Sequence, residues 1–215
     1  MYVMPEPEAI KLLEKYDIPY PNHIFVTDRS RLTTAAEKLG FPLVMKIVSP
    51  DIVHKSDAGG VRLDLKNFKE VIAAYDEIIC SIKHNNPSAE ISGVLLCSMA
   101  ETGVEVIIGM VHDEVFGPTI MFGLGGIFVE VLEDVTFRVC PIDEREAIEM
   151  LNEIKGGKIL RGIRGRQALD VKSLAKLISV TTQMVTENPQ INELDFNPVR
   201  VYDKGVMVLD ARIIC

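Results

Sequence analysis

The segment of residues 49–60 constrains the fold more than any other part of the chain, because it holds polar and glycine residues between two apolar stretches. Residues 42–48 before it have the β-branched, apolar character of a buried strand. Residues 60–65 after it alternate between apolar and polar side chains, as a second strand would. The pattern therefore predicts a β-hairpin with a long connection.

This connection carries groups that suit phosphoryl oxygens. Ammonium groups and glycine amides form polar concavities for anions, and the candidates here are Lys46, Lys55, Gly59 and Gly60. His54 lies in the same loop, and imidazole is a nucleophile near neutral pH that can accept a phosphoryl group and pass it on. Either Asp51 or Asp57 would orient the ring. The segment predicts a phosphate-handling loop.

Charge and composition exclude several classes of protein. The net charge of −8 argues against nucleic acid as a partner, since nucleic-acid binding needs a broad basic face. No apolar run approaches the roughly 18 residues of a membrane span, and the amino terminus lacks a basic region followed by an apolar one. The cysteines lack CxxC spacing, which favours reduced thiols. We expect a soluble cytoplasmic protein without membrane or nucleic-acid partners.

Helical and strand periodicities alternate along the chain and predict an α+β protein. Helices are expected at residues 6–16, 29–39, 67–83, 144–154 and 171–185, and further strands at 91–97, 104–111, 118–122, 191–196 and 206–209. A connection near residues 98–102 divides the chain into two lobes. Residues 22–97 form the first, inserted subdomain, and residues 1–21 with 98–215 form the second. A cleft between two lobes is the expected ligand site.

The carboxy-terminal strand carries oxygen-bearing side chains at every second position. Glu193, Asp195 and Asn197 therefore share one face, while the two apolar residues between them face the core. Such a face, joined by Asp210 from the adjacent strand, provides the oxygen ligands that Mg²⁺ needs when it bridges nucleotide phosphates. The alternative is a solvated strand face.

Residues 155–166 hold five positive charges and no acidic residue in a protein of net charge −8. The planar guanidinium groups of Arg161 and Arg164 suit phosphoryl oxygens. The segment therefore predicts an anion-binding role, with a subunit contact or a solvated loop as the alternatives.

Several ordered motifs make the chain resemble the ATP-grasp β subunits of ADP-forming acetyl-CoA synthetases, within the NDP-forming acyl-CoA synthetases. The resemblance covers almost the whole chain, and its motifs lie at residues 16–19, 40–46, 49–61, 122–126, 129–130, 161–165 and 193–198. It implies an ATP-grasp fold of two mixed α/β lobes with a nucleotide cleft between them. It also implies that ATP or ADP binds with Mg²⁺ and that acyl-CoA cleavage is coupled to ATP synthesis through a phosphohistidine.

The resemblance further implies a partner. The chain has no dinucleotide-type glycine fingerprint for binding CoA, so a separate CoA-binding α subunit is expected, in an α2β2 complex. Two other functions stay open: an ATP-grasp carboxylate–amine ligase, which needs no loop histidine, and a non-catalytic nucleotide-binding regulatory module.

Site residues follow from the same resemblance. His54 would take the phosphoryl group and Arg164 would assist in catalysis. The nucleotide ligands that it implies are Lys46, Ser98, Ala100, Glu105, Gly59, Gly60 and Gly125, with Glu101 as an alternative to Glu105 at the ribose. Asn197 and Asp210 would hold the metal. Asp195 would assist, although it is shorter than the glutamate that many ATP-grasp enzymes have there.

Overall fold

The structure is a computed structural model that describes residues 2–52, 54–125, 134–162 and 167–215. Its helices are α1 (Glu6–Lys15), α2 (Leu32–Leu39), α3 (Phe68–Asn85), α4 (Glu144–Glu153), α5 (Gly157–Leu160) and α6 (Val171–Glu187), with a 3₁₀ turn at Arg29–Arg31. Its strands are β1 (Val3–Met4), β2 (His23–Val26), β3 (Leu43–Val48), β4 (Val61–Leu65), β5 (Gly93–Ser98), β6 (Val104–Asp113), β7 (Gly117–Leu124), β8 (Val135–Val139), β9 (Glu193–Val201), β10 (Val206–Val208) and β11 (Ala211–Ile214). All five helices expected from the sequence are present.

The chain divides into two compact units, one of Pro21–Glu101 and one of Met1–Tyr20 with Thr102–Cys215. The smaller unit extends four residues beyond the expected limit of residue 97. The reason is local pairing, since Ser98 still lies opposite Leu43 in the sheet and the Met99 amide donates to the Pro42 carbonyl oxygen over 3.0 Å.

The smaller unit is an antiparallel sheet of order β2-β5-β3-β4 with α2 and α3 packed on one face. Alternate residues of β3, namely Leu43, Met45 and Ile47, enter the core with the apolar sides of both helices. Lys46 therefore lies on the opposite face, flanked in the strand register by Val61 of β4 and Leu95 of β5.

The larger unit is an antiparallel sheet of order β1-β11-β9-β6-β7-β8, with β10 paired to β9. Helices α1, α4 and α6 bury their apolar sides on one face of this sheet, against inward residues such as Ile108, Phe122 and Phe196. Residues between these inward positions lie on the face opposite the helices. Among the described residues, no helix is both long and apolar enough to span a bilayer.

The end of the chain differs from the strands expected at residues 191–196 and 206–209, since it forms the three strands β9, β10 and β11. Asn197 and Pro198 were expected in the connection between two strands, but they lie inside β9. The strand is continuous because β11 pairs with its first part and β10 with its second part. The expectation that Asp210 lies in the adjacent strand is wrong, because β10 ends at Val208 and Asp210 lies in the short link that precedes β11.

The motif at residues 16–19 ends helix α1. The Ile18 amide donates to the Leu13 carbonyl oxygen over 3.0 Å, and the Asp17 amide donates to the Glu14 carbonyl oxygen over 3.2 Å. This pair of hydrogen bonds is the Schellman arrangement, in which Asp17 takes a positive φ of 53°. Ile18 and Leu13 are both buried in the larger core. This motif therefore has a structural role.

Asp170 joins the start of α6 to the turn between β9 and β10. Its Oδ1 accepts from the Ser173 amide over 3.0 Å, and its Oδ2 accepts from the Ser173 hydroxyl over 2.7 Å and from the Gly205 amide over 2.8 Å. These hydrogen bonds, the Ser173 amide first, lower the pKa of Asp170 from its usual 3.8. The ionised carboxylate thus caps the helix and fixes the turn.

We predict that Asp170→Ala lowers the free energy of unfolding by about 1–2 kcal/mol near neutral pH, the usual effect of removing a helix cap. Because the folded pKa lies below 3.8, this stabilisation is complete above that pH and is lost as the pH falls through the lowered value. Urea unfolding at several pH values measures the effect. Asp203→Ala, an exposed position in the same turn, is the matched control, and equal losses in both variants would contradict the prediction.

Candidate functional site

The glycine pair closes the β3–β4 connection. The Gly60 amide donates to the Lys55 carbonyl oxygen and the Ile47 amide donates to the Gly60 carbonyl oxygen, both over 2.7 Å. A β-carbon on Gly60 would lie 2.4 Å from Ile47 Cγ2, and Gly59 has a φ of 71°, so both positions favour glycine. The Gly59 amide donates to the Ser56 carbonyl oxygen over 3.0 Å. Both glycine amides therefore donate inside the loop, and their assignment to the nucleotide stays a prediction.

The beginning of the loop is anchored as well. Ile52 is buried in the core of the smaller unit, and Asp51 Oδ2 accepts from the Glu90 amide over 2.7 Å. Further along, Ser81 Oγ donates to the Ala58 carbonyl oxygen over 3.3 Å. One oxygen of Asp51 is thus engaged with the backbone at Glu90. The loop is fixed on both sides of His54.

His54 lies between these anchors with its side chain exposed to solvent. Its carbonyl oxygen accepts from the Ala58 amide over 3.1 Å, which starts the turn leading to the glycine pair. The backbone is therefore held while the imidazole is accessible. An accessible imidazole on an anchored loop has the geometry that a phosphoryl acceptor needs.

Lys46 is 7% exposed, which is unusual for lysine. It lies on the sheet face opposite the helices, and Leu95 is opposite it in the strand register. Its contact with a phosphate stays a prediction.

The three candidate metal ligands lie close together in the larger unit, two in β9 and one in the link before β11. Leu194 and Phe196 enter the core, so Asp195 is on the opposite face, as the alternation predicts. The Asn197 amide donates to the Asp210 carbonyl oxygen over 3.2 Å, and this contact makes the two residues direct neighbours. Asn197 is exposed, and Asp195 and Asp210 are partly buried.

This donor set fits Mg²⁺. It offers two carboxylates and one amide oxygen, which are hard ligands, and Mg²⁺ usually takes one or two carboxylates with phosphates and water completing its octahedron. Among the described residues, no group of three or more His, Cys, Asp or Glu side chains is placed to hold a metal ion. The arrangement therefore suits an ion that arrives with a nucleotide rather than a cage made by protein alone.

Glu105 has a neighbour that the sequence pattern did not identify. Glu105 Oε1 accepts from Arg200 Nη2 over 2.9 Å and from Arg200 Nε over 3.2 Å. The carbonyl oxygen of Glu105 accepts from the Gly125 amide over 2.8 Å. Glu105 and Gly125, both expected at the nucleotide, are thus adjacent. Finding Arg200 required the β6–β9 register, in which Arg200 faces Glu105.

Ser98 and Ala100 lie at the end of the smaller unit. Ser98 ends β5, and its amide donates to the Asn22 carbonyl oxygen over 2.8 Å. Both side chains are partly buried. Their assignment to the adenine, and the choice between Glu101 and Glu105 at the ribose, stay predictions.

The basic segment is fixed at its beginning by Asp134. Its carboxylate accepts from the Lys155 amide over 2.8 Å and from the Gly156 amide over 2.7 Å. Lys155 and Arg161 are exposed. Arg164 lies outside the described residues, and its catalytic assignment stays a prediction.

The chain is similar to several known proteins. A family model described as "ATP-grasp domain" matches residues 2–215. The β subunit of acetate–CoA ligase (ADP-forming) I from Pyrococcus furiosus is 44% identical over 97% of this chain and 90% of its own length. The 4-hydroxybutyrate–CoA ligase (ADP-forming) from Nitrosopumilus maritimus is 44% identical over 97% of this chain, which spans only 30% of that longer protein.

Solved structures of an acetyl-coenzyme A synthetase 1 from Ca. Korarchaeum cryptofilum are also similar. Its complex with coenzyme A and Ca-AMPCP has a TM-score of 0.96 and 45% identity, over 99% of this chain and 93% of that chain. A second complex of that protein holds Mg-AMPPCP, with a phosphohistidine segment pointing towards the nucleotide binding site. It has a TM-score of 0.84 and 42% identity, over 99% of this chain and 92% of that one.

We predict that Lys46→Met weakens ATP binding about ten- to a hundredfold. A charge-assisted contact with phosphate is typically worth ~1.5–3 kcal/mol, and methionine keeps the apolar stem that packs on the strand. Calorimetric titration with ATP measures the change. Lys66→Met, which removes an exposed lysine of the same unit, should bind ATP like the wild type. Unchanged affinity in Lys46→Met would remove Lys46 from the site.

We also predict that Asp210→Asn weakens the Mg²⁺-dependent part of nucleotide binding and leaves the metal-free part unchanged. The substitution keeps the shape of the side chain and removes the charge that attracts the ion. ATP titrations with Mg²⁺ and with a chelator separate the two parts. Asp203→Asn is the control. A wild-type metal dependence in Asp210→Asn would show that Asp210 is not a ligand.

Proposed function

Because the chain belongs to the ATP-grasp family, and within it to the β subunits of ADP-forming acetate–CoA ligases, we propose that it exchanges a phosphoryl group between His54 and ADP. The reaction couples acyl-CoA cleavage to ATP synthesis. The observation that carries the proposal is the exposed His54 on a loop anchored on both sides. A structural histidine would instead be expected to pack or to hold its own loop.

The exchange is chemically balanced. Phosphorylated His54, protonated at its other ring nitrogen, loses its N–P bond as a terminal oxygen of ADP forms a new O–P bond, which yields ATP and neutral imidazole. In the reverse direction the ring nitrogen attacks the γ-phosphorus of ATP and ADP leaves. The step needs in-line positioning and charge compensation more than further covalent chemistry.

Positioning and charge compensation are the roles proposed for the other residues. Lys46 binds a phosphate oxygen through its ammonium group. Asn197 and Asp210 hold Mg²⁺, and Asp195 assists them. When bound with the nucleotide, this ion neutralises charge on the phosphates. Glu105, held through one oxygen by Arg200, accepts from the ribose hydroxyls with the other. Arg164 assists the transfer.

The proposal includes a CoA-binding α subunit in an α2β2 complex. The Pyrococcus furiosus relative is named as a β subunit, and this chain covers 90% of it. The Nitrosopumilus maritimus ligase is a much longer single chain, of which this chain spans 30%. A separate chain that supplies CoA binding and the acyl chemistry would account for this difference in length.

A carboxylate–amine ligase or a regulatory nucleotide-binding module would use Lys46 and the metal ligands but would not need His54. The names of the relatives favour the acyl-CoA ligase, since the most similar ones include ADP-forming acetate–CoA ligases. His54 is therefore the residue whose removal separates these functions.

We predict that His54→Ala binds Mg-ATP with wild-type affinity but is not labelled by [γ-³²P]ATP and does not form ATP with the CoA-binding chain added. The wild type should carry a label that is lost in acid and kept in base, as expected for phosphohistidine. His84→Ala, an exposed histidine on α3, should behave like the wild type. Persistent labelling of His54→Ala, or ATP formation at the wild-type rate, would contradict the mechanism.

A further inference from the structure

The larger unit carries a cluster of exposed apolar side chains at one end of its sheet. Twelve large apolar residues among the described ones are exposed, and five of them belong to this cluster: Val111 (52%), Val115 (82%), Phe116 (66%), Phe137 (54%) and Val139 (48%). Scattered apolar residues on a surface need no explanation, but a contiguous group does. We name these five residues the apolar patch.

The strand register places three residues of the patch on one face of the sheet. Val111 of β6 and Val139 of β8 both lie opposite Thr119 of β7 and therefore form one row across three strands. Phe137 is two residues from Val139 on the same face. Val115 and Phe116 form the turn between β6 and β7, at the end of the sheet where Val139 lies. The row lies on the face opposite the helices.

The turn that carries Val115 and Phe116 is held in one conformation. Asp113 Oδ1 accepts from the amides of both residues, each over 2.8 Å. Gly117 closes the turn with a φ of 76°, which favours glycine. Two large apolar side chains are therefore presented to solvent by a preorganised turn, which lowers the entropic cost of burying them in an interface.

The size of the patch is on the scale of a protein interface. Its five side chains expose roughly 500 Å², within the range of the largest, often functional, patch of a typical monomer. It amounts to more than half of the ~800 Å² that each partner buries in a standard interface. Aromatic residues such as Phe116 and Phe137 are enriched in interface cores.

The position of the patch indicates which protein binds to it. The sheet order β9-β6-β7-β8 places β8 three strand spacings from β9, about 14 Å at ~4.8 Å per spacing. The patch and Asp195 of β9 lie on the same face of this sheet. A chain seated on the patch is therefore close to the candidate metal ligands. In the proposed function the partner chain exchanges a phosphoryl group with this chain, so a surface on the face that carries Asp195 suits that partner, whereas a second copy of the chain has no functional reason to bind there.

We propose that the apolar patch is a docking surface for the CoA-binding partner chain, with Phe116 as its anchor. This proposal rests on the proposed function. The complementary surface is apolar and uncharged at its centre, and it has a cavity that receives the Phe116 ring.

The test uses the CoA-binding chain that restores ATP formation with the wild-type protein. Phe116→Asp should weaken binding of that chain at least tenfold in a biolayer or calorimetric titration, the loss typical of an interface anchor. Val139→Thr keeps the β-branched shape of the strand and should weaken binding to a smaller extent. Leu63→Asp, a strongly exposed position of the smaller unit, should bind the partner normally. All three variants should bind Mg-ATP like the wild type.

The outcomes separate this proposal from the proposed function. If the wild type binds its partner and both patch variants bind equally well, the patch is not the docking surface and the proposed function stands. If Phe116→Asp loses only self-association, the occupant is a second copy and the proposal is wrong. If no CoA-binding chain restores ATP formation with the wild type, the proposed function fails and this proposal with it.

Discussion

In the described part of the chain, the helices of each unit pack on one face of its sheet, and the placement of the polar residues depends on this one-sided burial. In the smaller unit, α2 and α3 pack on Leu43, Met45 and Ile47, which leaves Lys46 on the other face. In the larger unit, α1, α4 and α6 pack on the inward residues of β6, β7 and β9. Asp195 and Glu105 then lie on the face opposite these helices. Because successive side chains of a strand point to opposite faces, burying the apolar residues in the core places the candidate ligands between them on the other face.

The loop at His54 combines rigidity of the backbone with exposure of the side chain. Its anchors are the glycine pair at one side and the Asp51 carboxylate at the other. Gly60 is required because Ile47 fills the space that a side chain would need. The glycines that first suggested a phosphate cradle therefore hold the loop closed. They contribute to the proposed chemistry by positioning His54.

Much of this architecture could be predicted from the sequence, because helical and strand periodicities report directly on burial. The five long helices and the one-sided pattern of β9 followed from apolar spacing alone. The strands β1, β2, β8 and β11 were missed. Each is short, and β1, β2 and β8 lie at the edges of their sheets, where the pattern is weak. The continuity of β9 through Asn197 and Pro198 was also missed. It arises from pairing with two different strands, which sequence spacing does not encode.

Part of the candidate site could likewise be predicted from the sequence, and part of it required the structure. The motif at residues 49–61 identified His54 and Lys46, whereas the pairing of Arg200 with Glu105 depends on the register of β6 and β9. The rigid turn at Val115 and Phe116 looks like an ordinary turn in the sequence. The turn becomes part of an apolar patch only because β8 lies beside β7, and the sequence pattern does not show this strand pairing.

The central claim is that His54 is a kinetically competent phosphoryl carrier. A rapid-quench experiment tests it most directly: the isolated ³²P-labelled protein is mixed with excess Mg-ADP, and the label is followed over milliseconds to seconds. The label is expected to leave a histidine mapped to His54 and to appear in ATP at least as fast as steady-state turnover with the partner chain. Release of the label as inorganic phosphate, transfer slower than turnover, or a label mapped to another residue would contradict it.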